Sequence, residues 1–128
     1  MSNPAEGPLA DLSPYEQALL SAWTDMHKKS QVNFLVLHLL QAGEKGTDEI
    51  AAAIEAVSRG YLAVDPKSLY RTLGRLVDQG LLGFDEHPVP RSGVKRKVYG
   101  LTASGARVLA AYRSTTLAYL VAPEVKPL

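Results

Sequence analysis

No cysteine occurs among the 128 residues, which excludes disulfides, thiolate nucleophiles and cysteine-ligated zinc or iron–sulfur sites. No apolar run approaches the roughly 18 residues needed to cross a bilayer, so no membrane span is expected. The first residues, MSNPAEGPLADLS, have no basic start and no apolar stretch; a secretory signal is not expected there, and a cytoplasmic protein is. Enzyme signatures are missing too. The three histidines, His27, His38 and His87, are isolated and not at ligand spacing, and no HExxH, G-x-S-x-G or glycine-rich phosphate loop occurs. Gly43-Glu44-Lys45-Gly46-Thr47 lacks the first glycine and the Gly-Lys-Thr order of a phosphate loop, and Glu44 would oppose a phosphate. The expectation is a non-enzyme without metal or cofactor. With 46% apolar and 21% charged residues, the chain has the composition of one globular domain.

A net charge of +1 conceals an uneven distribution. Residues 1–25 carry four acids and no base, whereas residues 59–97 carry eight bases and four acids. A basic segment in a near-neutral chain suggests a surface aimed at an anion, although a solvated face gives the same count.

Ser13-Pro14-Tyr15-Glu16 has the capping residue, first-turn proline and third-position glutamate of a helix start. Tyr15, Leu19, Ala22, Trp23 and Met26 follow on one stripe, and Val32–Leu40 is apolar nearly all round. Whether 14–42 is one helix or two is open, with the break expected at Lys28-Lys29-Ser30. Gly43 and Gly46 flank a turn, and Thr47 or Asp48 caps a short helix closed by Gly60. Asp65-Pro66 opens another, ended by Gly80. Leu81–His87 and Lys95–Leu101 alternate as two strands, joined by a proline-rich loop. A last helix is expected from Ala103 to about Leu120, started by Thr102 and stopped by Pro123. The fold expected is mainly α (α+β): a winged helix-turn-helix with added N- and C-terminal helices.

The helix beginning at Pro66 holds three bases and no acid over residues 66–77. At about 100° per residue, Lys67, Arg71 and Arg75 lie opposite Leu69, Leu73 and Leu76. One face would pack and the other would offer donors to guanine edges or phosphates in a major groove. Residues 91–97 add Arg91, Lys95, Arg96 and Lys97 in a hairpin tip suited to phosphates. Tyr70, off the leucine stripe, can pack its ring and extend its hydroxyl to a phosphate. Gly74, in mid-helix, permits close approach of a neighbour or is simply tolerated.

Ser68-Leu69-Tyr70-Arg71-Thr72-Leu73, then Leu76 and Gly80-Leu81-Leu82, resembles the recognition helix of PadR-type transcriptional regulators. Arg96-Lys97-Val98-Tyr99-Gly100-Leu101-Thr102-Ala103-Ser104-Gly105 is similar to that family's wing strand and following helix. The resemblance spans roughly residues 31–113. It implies a dimeric repressor that binds an inverted-repeat operator on double-stranded DNA and is often released by a small molecule. Carried over by position, Ser68, Tyr70 and Arg71 contact DNA from the helix, Lys95, Arg96 and Lys97 supply the wing, and Tyr99 is the one aromatic left where many members have a tyrosine pair. Gly46-Thr47-Asp48 stands where many members have a glycine–tyrosine pair, and its acid would repel phosphate.

The resemblance also assigns the dimer to the terminal helices. Tyr15, Leu19, Leu20 and Trp23 would meet Leu109, Tyr112, Thr116, Tyr119 and Leu120 near a/d spacing. Trp23, Tyr112 and Tyr119 form a candidate pocket for a small aromatic effector, against ordinary interface packing. The expected division is a flexible arm (1–12), a dimerisation helix (13–30), a winged helix-turn-helix DNA-binding domain (31–101), a second dimerisation helix (102–122) and a tail (123–128). The rival expectation is a winged-helix module that grips an acidic protein partner without specific DNA binding; direct sensing of a small molecule, a third expectation, is compatible with the DNA-binding one.

Overall fold

The computed structural model describes residues 9–125. Residues 1–8 of the expected arm and 126–128 of the expected tail lie outside the described residues.

Helix α1 runs Pro14–Leu40 without interruption. Its start is reciprocal. The Ser13 hydroxyl accepts from the Glu16 backbone N–H at 3.1 Å, and the Glu16 carboxylate accepts from the Ser13 N–H at 2.9 Å. The break expected at Lys28-Lys29-Ser30 does not occur. No glycine or proline lies between Tyr15 and Ala42, so three polar residues merely turn a polar side to solvent. The helix has two unlike halves. Tyr15, Leu19, Trp23 and Met26 are exposed, whereas Val32, Val36, Leu37 and Leu40 are buried in the core.

A two-residue strand β1 (Lys45–Gly46) leads into α2 (Thr47–Val57), whose Ile50 and Ile54 are fully buried. Gly46, not Thr47 or Asp48, is the capping residue. The Glu49 carboxylate accepts from its backbone N–H at 3.2 Å. Helix α3 (Pro66–Asp78) is capped as expected, with Asp65 accepting from the Ser68 N–H at 3.0 Å. Gly80, at φ +80°, ends it: the Leu81 N–H reaches back to the Leu76 carbonyl at 3.0 Å and the Gly80 N–H to Val77 at 2.9 Å.

Strands β2 (Leu82–Pro88) and β3 (Lys95–Leu101) form the antiparallel hairpin, with Phe84 opposite Tyr99 and Glu86 opposite Lys97. β1 pairs with the other edge of β3, giving the order β1-β3-β2. The third strand is too short to show any alternation in sequence. Helix α4 (Ala103–Tyr112) follows. Thr102 caps it by accepting from the Gly105 N–H at 3.0 Å, and donates to the Gly80 carbonyl at 2.7 Å, joining the end of α3 to the start of α4.

The expected helix to Leu120 changes character after Tyr112, into a π-helical turn (Arg113–Leu117) and a 3₁₀ turn (Ala118–Val121). The Ser114 and Thr115 hydroxyls both donate to the Ala111 carbonyl, competing with regular helical bonding. Two further expectations fail on burial. Tyr99 is 2% exposed, packed among Val36, Leu69 and their neighbours in the core, and cannot serve as an aromatic DNA contact. Leu109 is 0% exposed and fills the chain's own core instead of a dimer seam.

Two glycines test the packing. A Cβ at Gly105 would overlap the Leu81 carbonyl oxygen and stand 2.7 Å from Leu101 Cδ1, whereas one at Gly74 would meet nothing within 4 Å. Gly105→Ala is therefore expected to destabilise by about 1–3 kcal/mol, and Gly74→Ala to stabilise by about 0.5–1 kcal/mol; chemical denaturation of the two variants checks both signs.

The capping carboxylates set a pH dependence. Glu49 is held below its ordinary value by the Gly46 N–H and then by Arg96, and Glu16 is lowered by the Ser13 N–H and hydroxyl. A lowered native pKa stabilises above the unfolded value and is lost as pH falls through the native one. Stability should thus decline below about pH 4.5, less steeply in Glu49→Gln; equal acid slopes in urea titrations of the two proteins would refute this.

Candidate nucleic-acid interface

Burial of Leu69, Leu73 and Leu76 fixes the rotation of α3 and leaves Lys67, Ser68, Tyr70, Arg71 and Arg75 exposed on its outer side. The exposed residues border two depressions. On one flank Ser68, Arg71, Thr72 and Arg75 line a groove of about 560 Å³ together with Lys28, Lys29 and Val32 of α1 and the Ala63–Asp65 segment. On the other flank Lys67, Tyr70 and Arg71 border a shallower hollow with Pro66 and with Thr47 at the start of α2. Four cations thus converge on the first groove, against one acid, Asp65, which is engaged in capping. Arg75 is steadied by Asn33 of α1, whose carboxamide oxygen accepts from Nη2 at 3.4 Å.

Lys28 and Lys29 were not apparent as site residues in the sequence, where they look like a helix break. Their place beside α3 follows only once α1 is continuous.

The hairpin is coupled to α3 by one side chain. Lys97 Nζ donates to the Tyr70 hydroxyl at 3.1 Å and lies 4.6 Å from the Phe84 ring centre and 5.3 Å from that of Tyr70. The accepting hydroxyl raises the lysine pKa, outweighing partial desolvation, so the group is firmly an ammonium at neutral pH. Phe84 is a second residue that the sequence did not single out. It looks like any strand aromatic until the register places it beside Lys97.

Alternation divides the basic residues of β3. Lys95 and Lys97 share one sheet face, whereas Arg96 points to the other. There it pairs with Glu49 of α2, its guanidinium stacked over Gly46, where a Cβ would lie 2.7 Å from Nη2. Arg96, expected on the wing surface with its neighbours, instead braces β3 against the start of α2. Arg91 is exposed in the connection between the strands, at φ +68°.

The three residues proposed as an aromatic pocket are not brought together within one chain. Trp23 is 68% and Tyr119 56% exposed. Tyr112 lines a separate pocket of about 200 Å³ with Phe34, Leu37, Leu76, Gln79 and Val108, its ring 5.8 Å from that of Phe34. His38 stacks on the same Phe34 and meets Arg113.

Among the described residues no helix is long and apolar enough to cross a membrane. No curated protein matches the chain. Solved structures do. A PadR family transcriptional regulator from Eggerthella lenta superposes with a TM-score of 0.69 at 20% identity, over 84% of this chain and 90% of that one. A transcriptional regulator from Clostridium thermocellum gives 0.65 at 19%, over 75% and 91%. Bacillus subtilis PadR in complex with operator DNA gives 0.57 at 22%, over 75% of this chain; the match spans about half, 49%, of that protein's length. These likenesses establish the winged-helix fold. A profile of the transcriptional regulator PadR-like family matches residues 36–111, more than half of the sequence, and the chain belongs to that family.

Proposed function

We propose that the protein is a dimeric repressor that binds an inverted-repeat operator on double-stranded DNA. The observation that carries this reading is the single cationic surface running from Lys28 and Lys29, across Arg71 and Arg75, to Lys97 and the hairpin. Lys67, Ser68, Tyr70 and Arg71 enter the major groove from α3. Lys28, Lys29 and Arg75 hold the phosphates along one flank, and Lys95, Lys97 and Arg91 hold those under the wing. The operator DNA bound by the B. subtilis neighbour supports the same use of the fold. Its role is regulation and not catalysis, and its expected place is the cytoplasm.

Dimerisation is supported by apolar surface at both ends of the chain. Tyr15, Leu19, Leu20, Trp23 and Met26 of α1 are exposed, as are Tyr119, Leu120 and Val121. Thr116 lies on the same terminal segment and is also exposed. Such patches mark interaction sites, and a twofold seam would set two α3 helices about 34 Å apart for successive major grooves. A small aromatic effector fits the hollow beside Phe34 and Tyr112 better than the Trp23–Tyr119 region, because that hollow adjoins Leu76 of α3 and α4 together.

Selection of bound DNA from a random pool supplies the operator. Arg71→Ala should then weaken operator binding by about 1–3 kcal/mol and relax base preference, whereas Lys28→Ala/Lys29→Ala should weaken all sequences alike and reduce the slope of log affinity against log salt by about 2. Unchanged binding in both variants, measured by fluorescence anisotropy, would leave the protein-interaction reading in its place. Trp23→Asp should shift the chain from dimer to monomer in sedimentation velocity; an unshifted boundary would remove α1 from the seam.

A further inference from the structure

The sheet face turned away from Lys97 carries a different chemistry. Asp85 and His87 are two residues apart on β2 and therefore share a face. Glu44 precedes β1, on the far edge of β3. On the intervening strand Val98 stands opposite Asp85 and Arg96 opposite His87, but in the next row of this face Gly100 on β3 stands opposite Gly83 on β2 and leaves an opening. The Glu44 side chain lies across that opening. Its Cγ is 3.5 Å and its Oε1 3.8 Å from the point a Gly100 Cβ would occupy. A Glu44 carboxylate oxygen, an Asp85 carboxylate oxygen and a His87 ring nitrogen consequently all lie within 4.8 Å of one another. Glu44 and Asp85 line a groove of about 290 Å³ floored by the two glycines and bordered by Phe84, Val98 and Thr102.

Charge is unbalanced at this point. Two carboxylates meet, and among the described residues neither forms an ion pair, the single such pair being Arg96 with Glu49. Arg96, which shares this face opposite His87, is paired with Glu49, and Lys97 lies on the opposite face with Tyr70. Like charges at this separation repel unless a cation joins them.

We propose that Glu44, Asp85 and His87 form a binding site for one divalent transition ion of the zinc type. Three ligands on one ion, at bonds of about 2.0–2.2 Å, lie roughly 3.3–3.6 Å apart in tetrahedral geometry. All three side chains are exposed, so small rotations close the distance. The imidazole is what selects the ion. Magnesium and calcium take oxygen ligands, whereas a nitrogen with two carboxylates suits zinc, with water completing the shell. The ligands come from the segment before β1 and from β2, on either side of β3, so a bound ion would clasp the two edges of the sheet at the base of the wing. The site is independent of the DNA-binding reading.

The test is titration of the full chain with Zn²⁺ in competition with a chromophoric chelator, alongside thermal unfolding. Expected are one Zn²⁺ per chain with a dissociation constant in the micromolar range, and a rise in Tm on binding. His87→Ala and, separately, Asp85→Asn should each weaken binding by about tenfold or more and abolish the rise in Tm. His27→Ala should change neither, and Mg²⁺ should not compete. Absence of binding below about 1 mM, or Zn²⁺ affinity unaltered in both His87→Ala and Asp85→Asn, would overturn the proposal.

Discussion

Burial of three leucines on α3 governs what the rest of the molecule can present. Leu69, Leu73 and Leu76 are almost wholly withdrawn from water. Each contributes roughly 1.5–3 kcal/mol over an exposed side chain, so rotating α3 by even 60° about its axis would cost several times what any surface contact returns. The outward direction of Lys67, Arg71 and Arg75 is thus set from inside. Gly80, which ends the helix, and Thr102, which ties that end to α4, hold the same element along its axis.

The hairpin inherits its position from that helix through Tyr99 and Phe84. Tyr99 is buried beneath the sheet, Phe84 stands opposite it, and Lys97 rests on Phe84 and Tyr70 together. A lysine held in this way has lost much of its rotamer freedom before any phosphate arrives, which lowers the entropy still to be lost on binding. Arg91 and Lys95, with no such partners, remain long solvated chains. The wing therefore has an ordered cation near the helix and freer ones further out. Position is decided close to α3 and charge is spread beyond it.

Much of this was legible in the residues. The caps at Ser13 and Asp65, the leucine stripe, Gly80, the second strand and the basic composition of 66–77 and 91–97 all depend on neighbours within a few positions. What was not legible depends on contacts between distant segments. Lys28 and Lys29 join the site because α1 does not break, and helix continuity rests on the absence of glycine and proline more than on the polar triplet that resembled a stop. Tyr99 looked like a surface aromatic because its motif resembles one that ends in DNA, yet its parity on β3 is that of Leu101 and places it inward. Leu109 likewise belongs to the intramolecular core. In each case the local pattern was correct and the partner was not visible in it.

Parity also explains why one short strand serves two purposes. Lys95 and Lys97 share the face of Tyr99, and Lys97 meets Tyr70 of α3; Arg96 shares the face of Val98 and Gly100 and meets α2. Had β3 slipped by one residue, Arg96 would face the recognition helix while Lys97 lost its contacts, and Tyr99 would leave the core. The penalty for exposing that ring, together with Glu49 capping α2 while gripping Arg96, makes the register of the wing a consequence of core packing. The basic run Lys95-Arg96-Lys97 is thus not three equivalent charges. It is an ion-paired arginine between two lysines, one held by Tyr70 and one solvated, and at the acidic start of α2, which in sequence seemed to oppose DNA, Glu49 is neutralised by the chain itself while Asp48 stays exposed.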